Sequence, residues 1–249
     1  MSKPPGWKSV RRFFDEIWAQ LKAGTIALPR PIPRRLEFPM SDMLTIPTQI
    51  EQAERFTEDE FMLLAPEKPK TELIDGVMTM SAPATFAHDD LQTFLLTILR
   101  LYAESKHLGT AVGSNTPVVL SPNHLYVPDV LFIAEERRHI ITPKEINGAP
   151  DLIIELLSAS TAAYDRGFKR QMYEQAGLRE LWLIDPYGPI GCRFYQRRDD
   201  HFIEIAALDQ TIRSTAVPGF FLKLNWLWPE GGKGPISTLH ALQELGVIS

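Results

Sequence analysis

Asp129 and Glu155 stand inside short, almost wholly apolar runs, Tyr-Val-Pro-Asp-Val-Leu-Phe-Ile and Asp-Leu-Ile-Ile-Glu-Leu-Leu, and Lys169 follows on a helical stretch. Such runs are the pattern of strands covered on both faces, where an uncompensated ion is costly. Two converging carboxylates repel, so either one takes up a proton or a cation joins them. Mg²⁺ favours a few carboxylates, several waters and phosphate oxygens, and two acids from adjacent strands suit it. The chemistry this implies is metal-assisted hydrolysis at phosphorus.

Each residue also has a plainer reading. Asp129 follows Pro128 and could form a turn; Glu155 could be half of a buried ion pair with an arginine. Lys169 has Asp165 at i−4, enough for a surface pair. Yet Lys169, Met172, Tyr173 and Ala176 share one helical face, which turns the amine toward an apolar stripe. Held there, it would orient the attacking water or stabilise charge on the phosphorane. Asp151 shares the face of Glu155, but four residues along a strand is roughly 13 Å, too far to ligate the same ion. Glu72 alternates with Ile74, so an exposed position is the expectation. His88 lies near a helix start, where the dipole favours a neutral, structural ring. No phosphate-cradling glycine loop, zinc signature or nucleophile elbow is present.

The elements that must position these residues are marked by punctuation. Thr57-Glu-Asp-Glu60 is a capping box for a helix to about Leu64. Residues 71–74 and 77–80 form a hairpin about Asp75-Gly76. The spacing of Ala87, Leu91, Phe94, Leu95, Ile98, Leu99 and Tyr102 predicts a long helix. Strands are expected over 118–120, 125–134, 152–157 and 181–184, with a helix over 162–176 stopped by Gly177. Further strands fall at 192–197, 202–207 and 221–224, and a last helix at 236–245. This order indicates an α/β fold with a mixed sheet flanked by helices.

Composition narrows the classes. With 249 residues, 44% of them hydrophobic, the chain suits one generous globular domain with appendages. No apolar stretch approaches the roughly 20 residues of a membrane span, and the start lacks the apolar region of a secretory signal. A single cysteine, Cys192, excludes an intrachain disulfide and a Cys-rich zinc site, making a cytoplasmic setting the default. A net charge of -5 argues against nonspecific coating of nucleic acid. That charge is uneven: residues 1–40 hold eight Lys or Arg against three Asp or Glu. There Trp7, Val10, Phe13, Phe14, Ile17, Trp18 and Leu21 predict a basic amphipathic helix, followed by a linker with Pro29, Pro31, Pro33 and Pro39.

Taken together, Glu72-Leu-Ile-Asp-Gly76, His88, Val127-Pro-Asp-Val130, Ala149-Pro-Asp-Leu-Ile-Ile-Glu-Leu-Leu-Ser158, Lys169 with Tyr173, and Gly177-Leu-Arg-Glu-Leu-Trp-Leu-Ile-Asp-Pro186 resemble the Uma2 family of restriction-endonuclease-like proteins. That family is similar to the PD-(D/E)XK nucleases. The resemblance spans about residues 55–228 and implies a restriction-endonuclease-like core over 41–228, between the N-terminal segment 1–40 and a helical tail at 229–249. It implies Asp129 and Glu155 as metal-binding acids, with the Leu156 carbonyl completing coordination. Leu157 stands where the pattern has lysine, and the resemblance assigns that amine to Lys169. Glu72 would be an accessory acid and His88 a further polar member. The function so implied is a Mg²⁺-dependent endonuclease, with Mn²⁺ as substitute, acting on nucleic acid, most plausibly DNA, and suited to a homodimer. The alternative is an inactive nuclease-fold module for nucleic-acid binding or protein association.

Overall fold

The computed structural model describes residues 55–65, 70–81, 83–158, 161–230 and 234–249. The basic helix and linker expected over 1–40 lie outside the described residues. The first described helix, α1 (Glu58–Leu64), opens on the expected capping box, with Thr57 and Glu60 exchanging side-chain bonds to each other's backbone. Next come β1 (Thr71–Ile74) and β2 (Val77–Met80), paired antiparallel. Their turn puts Asp75 and Gly76 at φ 51° and 76°, the left-handed pair that a two-residue hairpin demands. The long helix α2 (Phe86–Ser105) is capped by Thr85, whose hydroxyl accepts the His88 amide.

Two sheets carry the rest. The larger has the order β11-β10-β9-β8-β6-β3, built from β3 (Gly109–Gly113), β6 (Val130–Ala134), β8 (Leu152–Leu156), β9 (Glu180–Ile184), β10 (Arg193–Arg198) and β11 (His201–Ile205). Only β8 and β9 are parallel, so the sheet is mixed. The smaller, of order β2-β1-β5-β4-β7, adds β4 (Val118–Ser121), β5 (His124–Tyr126) and β7 (Ile146–Asn147). A separate pair, β12 (Thr211–Arg213) with β13 (Phe221–Lys223), precedes α5 (Leu224–Leu227).

The strand expected over 125–134 is thus two strands, in different sheets. Pro128 has no amide hydrogen to give a ladder, so the chain leaves one sheet at Tyr126 and enters the other at Val130. Asp129 sits at that crossing. The helix expected over 162–176 is also divided, into α3 (Ala162–Tyr164), a π-helical turn at Asp165–Lys169 and α4 (Arg170–Gln175). The widened turn takes in one residue more than an α turn, and both Asp165 and Lys169 are buried within it.

Alternation along β8 sorts its side chains as the sequence predicts. Leu152, Ile154 and Leu156 join Phe132, Trp182 and the α2 residues Leu91, Leu95 and Ile98 in one core. Ile153 and Leu157 join Leu131, Leu181, Leu183 and Tyr173 in another on the opposite face. Truncating such a fully enclosed side chain, Ile154→Ala for example, costs about 2–5 kcal/mol. The terminal helix α6 (Thr238–Glu244) contributes Ala241 and Leu242 to the α2 core. Among the described residues, no helix is long and apolar enough to cross a membrane.

Candidate active site

The antiparallel register that pairs Leu131 with Ile153 and Val130 with Ile154 carries one step further to Asp129 opposite Glu155. Both carboxylates therefore stand at the same end of the larger sheet, and both are buried. Asp129 is locked in place across the strands: its Oδ2 accepts the Leu156 amide at 2.8 Å, and Gln92 of α2 donates to its carbonyl at 2.8 Å. Gly113, the partner of Val130 on β3, makes room for α2 here. A Cβ at that position would lie 2.8 Å from Leu96 Cδ2, so a larger residue requires the Leu96 side chain to shift.

Glu155 meets the crossover helix. Its Oε1 accepts the Tyr173 hydroxyl at 2.6 Å and pairs with the Lys169 amine at 2.9 Å. The same amine donates to Glu72 Oε1 at 2.9 Å, and that oxygen also accepts the Val127 amide at 3.0 Å. Lys169 has only 4% of its side chain exposed, with the rings of Tyr126 and Tyr173 beside it. Its partners are thus Glu72 and Glu155, and the surface pair with Asp165 does not form. The amine reaches from the helix to the acid on the strand, while Leu157, two residues beyond Glu155, packs in the core.

Two sequence expectations need correction. Glu72 is buried, because β1 lies between β2 and β5 and its Glu72 face turns to the interior. His88 is not a satisfied structural ring: its Nε2 faces Asp129 Oδ2 at 3.4 Å, and its buried Nδ1 has no hydrogen-bond partner. Asp151 lies apart as expected, held by Arg137 at 2.9 Å and Arg179 at 3.1 Å.

Lys70 was missed. It lies just before β1, and its amine meets Asp129 Oδ1 at 2.9 Å across 59 residues of chain. Nothing local marks it; only the pairing of β1 with β5 brings it there.

Burial and charge oppose one another throughout the cluster. Burial raises the Glu155 carboxyl, with Asp129 and Asp165 adding to it, and the amines of Lys169 and Lys70 only partly offset this, leaving it at about 7. For Asp129 burial acts the same way but is outweighed by Lys70 and His88, which hold it well below the carboxylate range. Burial works against the Lys169 ammonium, but Glu155, Glu72 and Asp165 overcome it and keep the amine protonated well above its usual range. Lys169 therefore serves as a fixed positive charge and hydrogen-bond donor, not as a base. Burial and the charges of Glu155 and Glu72 hold the Tyr173 hydroxyl protonated, which suits a donor.

The donor set suits a hard cation in chemistry: carboxylate oxygens of Asp129, just before β6, and of Glu155 on the neighbouring β8, with Glu155 Oε2 free of hydrogen bonds among the described residues. As the side chains stand, amines lie against these acids, and no three His, Cys, Asp or Glu among the described residues converge as a ligand set.

A family model described as "Uma2: Putative restriction endonuclease" matches residues 58–225. Uncharacterized protein sll1609 of Synechocystis is 29% identical over 119 residues, 47% of this chain and 67% of that protein. The crystal structure of a protein from Anabaena variabilis, described as a putative nuclease belonging to DUF820, superposes with a TM-score of 0.57 at 20% identity. It covers 68% of this chain and 96% of its own, a likeness of fold. With a family match that takes in every residue of the cluster from Lys70 to Tyr173, the chain belongs to the Uma2 family.

Proposed function

We propose that this chain is a divalent-cation-dependent endonuclease that hydrolyses phosphodiester bonds, with Mg²⁺ as its cation, Mn²⁺ as a substitute and DNA as its substrate. The observation that carries the reading is Glu155 Oε1 held by Lys169 at 2.9 Å, beside an Asp129 fixed by the Leu156 amide of the same strand. Asp129, Glu155 and the Leu156 carbonyl would hold the cation, which supplies Lewis acidity toward a phosphate oxygen and a more acidic water. Lys169 presents a permanent positive charge to the reacting phosphate and steers the nucleophile. Glu72 keeps that amine aimed by accepting its second bond. Tyr173 fixes the rotamer of Glu155, and His88 faces the Asp129 oxygen that Leu156 also holds.

Cutting both strands of a duplex suits a two-fold homodimer. The free, buried Cys192 accords with a reducing cytoplasm. The domain plan that goes with this reading is a catalytic unit over 41–228, with the basic segment 1–40 and the tail 229–249 as additions to it.

A second reading, a nuclease-fold module that binds without cutting, is favoured by Leu157 in the usual lysine position. One assay separates the two. Labelled duplex DNA and RNA are incubated with Mg²⁺, Mn²⁺ or chelator, using the native chain, Asp129→Ala and Glu155→Ala. Cleavage that needs both metal and carboxylates supports the enzyme; a gel shift indifferent to metal, with no cleavage, supports the module.

A further inference from the structure

Asp129 gives its two oxygens to partners of different kinds. Oδ2 belongs to the fold, accepting the Leu156 amide and facing His88. Oδ1 meets the Lys70 amine alone among the described residues, at 2.9 Å. On Glu155, Oε1 is taken by Tyr173 and Lys169 while Oε2 is free. The oxygens open to a cation shared by these acids are therefore Asp129 Oδ1 and Glu155 Oε2, and an ammonium already holds the first.

The two lysines differ in freedom. Lys169 is enclosed, tied to two carboxylates and flanked by two tyrosine rings. Lys70 has 24% of its side chain exposed and a single carboxylate partner. Its backbone is anchored, since its carbonyl accepts the Ser81 amide at 2.9 Å, so only the flexible four-carbon stem needs to move. An ammonium and a dication on one carboxylate oxygen repel strongly at low dielectric. Release of Lys70 toward water relieves that repulsion and regains hydration, and part of its side chain is already exposed.

We propose that Lys70 is an exchangeable internal counter-ion: its amine holds Asp129 Oδ1 until a divalent cation enters, then swings to the mouth of the site while Lys169 stays in place. This rests on the metal-dependent reading above. In place of a preformed cation cage, the site then has a carboxylate kept ionised and oriented by a removable amine.

Two measurements on the full chain test it. Mg²⁺ and Mn²⁺ are titrated calorimetrically into the native protein and Lys70→Met, and individual lysines are acetylated with and without Mg²⁺ and read by mass spectrometry. Lys70→Met should bind the cation at least about tenfold more tightly, since a nearby positive charge is gone. In the native chain, saturating Mg²⁺ should speed acetylation of Lys70 several-fold and leave Lys169 protected. Loss of charge alone could tighten binding through space, so the labelling decides: unchanged Lys70 reactivity in a protein that demonstrably binds Mg²⁺ overturns the exchange. Absence of binding in both proteins overturns the metal-dependent reading itself, and the exchange with it.

Discussion

Tyr173 and Lys169, one helical turn apart, close on the same oxygen of Glu155, the hydroxyl at 2.6 Å and the amine at 2.9 Å. One carboxylate oxygen is thus held by a neutral and a charged donor from a single helix, and the other is left to face the site. That division of labour fixes the acid's orientation without using up its capacity to bind.

Removing the neutral donor should expose its share. Tyr173→Phe keeps the ring against Tyr126, whose centroid is 5.5 Å away, but deletes the bond to a buried carboxylate. A stability loss of about 1–2 kcal/mol is expected in urea denaturation at pH 8. The acid limb of any metal-dependent cleavage should also move to higher pH, because the ionised form of Glu155 loses a donor. An unmoved limb would mean that Tyr173 only packs.

The pH dependence of stability should carry opposite signatures from the two acids. Glu155 is raised from an ordinary 4.5 to about 7, chiefly by burial, so the folded chain retains a proton that the unfolded chain releases. Its contribution is fully present below about 4.5 and lost as pH rises through about 7. Glu155→Gln should therefore flatten the stability profile between those values. Asp129 runs the other way: burial notwithstanding, Lys70 and His88 depress it, so its contribution is present above the ordinary 3.8 and lost as pH falls toward its folded value. Asp129→Asn should flatten the acid end of the same profile.

Lys169→Met strands two buried carboxylates, Glu72 and Glu155, without their counter-ion. Breaking a buried pair from one side costs about 3–5 kcal/mol. If the loss is of that kind, adding Glu72→Gln to the same chain should recover part of it, a positive coupling readable from a double-mutant cycle in denaturant. Additive losses would mean that the amine and Glu72 do not act as a pair.

Glu180 supplies a structural control. Fully enclosed, it accepts from Trp182 Nε1 at 2.9 Å, Ser214 Oγ at 2.7 Å and the amides of Thr215 and Ala216 at 2.9 Å, lashing the loop between β12 and β13 onto the larger sheet. Glu180→Gln should cost about 2 kcal/mol through weaker charge-assisted bonds. Calorimetric cation affinity should stay unchanged; a matching loss of affinity would tie this latch to the site.

The two acids were legible because charge inside an apolar strand is conspicuous, and Lys169 because its helical neighbours are apolar. What escaped depends on pairing distant in sequence. Glu72 reads as exposed within its own hairpin and becomes interior only when β5 covers the other edge of β1. Lys70 has no local mark at all, since its partner sits 59 residues away at the crossing between the two sheets. Pro128 stood in plain view, yet the run of apolar residues around it outweighed the missing amide hydrogen, and two strands were read as one. The strand Gly109–Gly113 was hidden by its glycines, which weaken the strand pattern while Gly109 lets the backbone of β6 come close and Gly113 leaves room for Leu96 of α2.

The π-helical turn at Asp165–Lys169 makes the chemistry depend on residue count as well as residue identity. An α-helix turns about 100° per residue, so losing one residue there would close the bulge to a regular α turn and shift the residues inside it, Lys169 among them, about the helix axis. Gly167 lies within that turn and carries no side chain, so its loss would remove no packed group. A lineage that dropped that codon would keep Asp129, Glu155, Glu72 and Lys169 in its sequence, and the fold around them, while the amine swung off its target. Such a deletion would leave every recognisable site residue in place, so chains that look intact by composition can still differ in whether the amine meets Glu155.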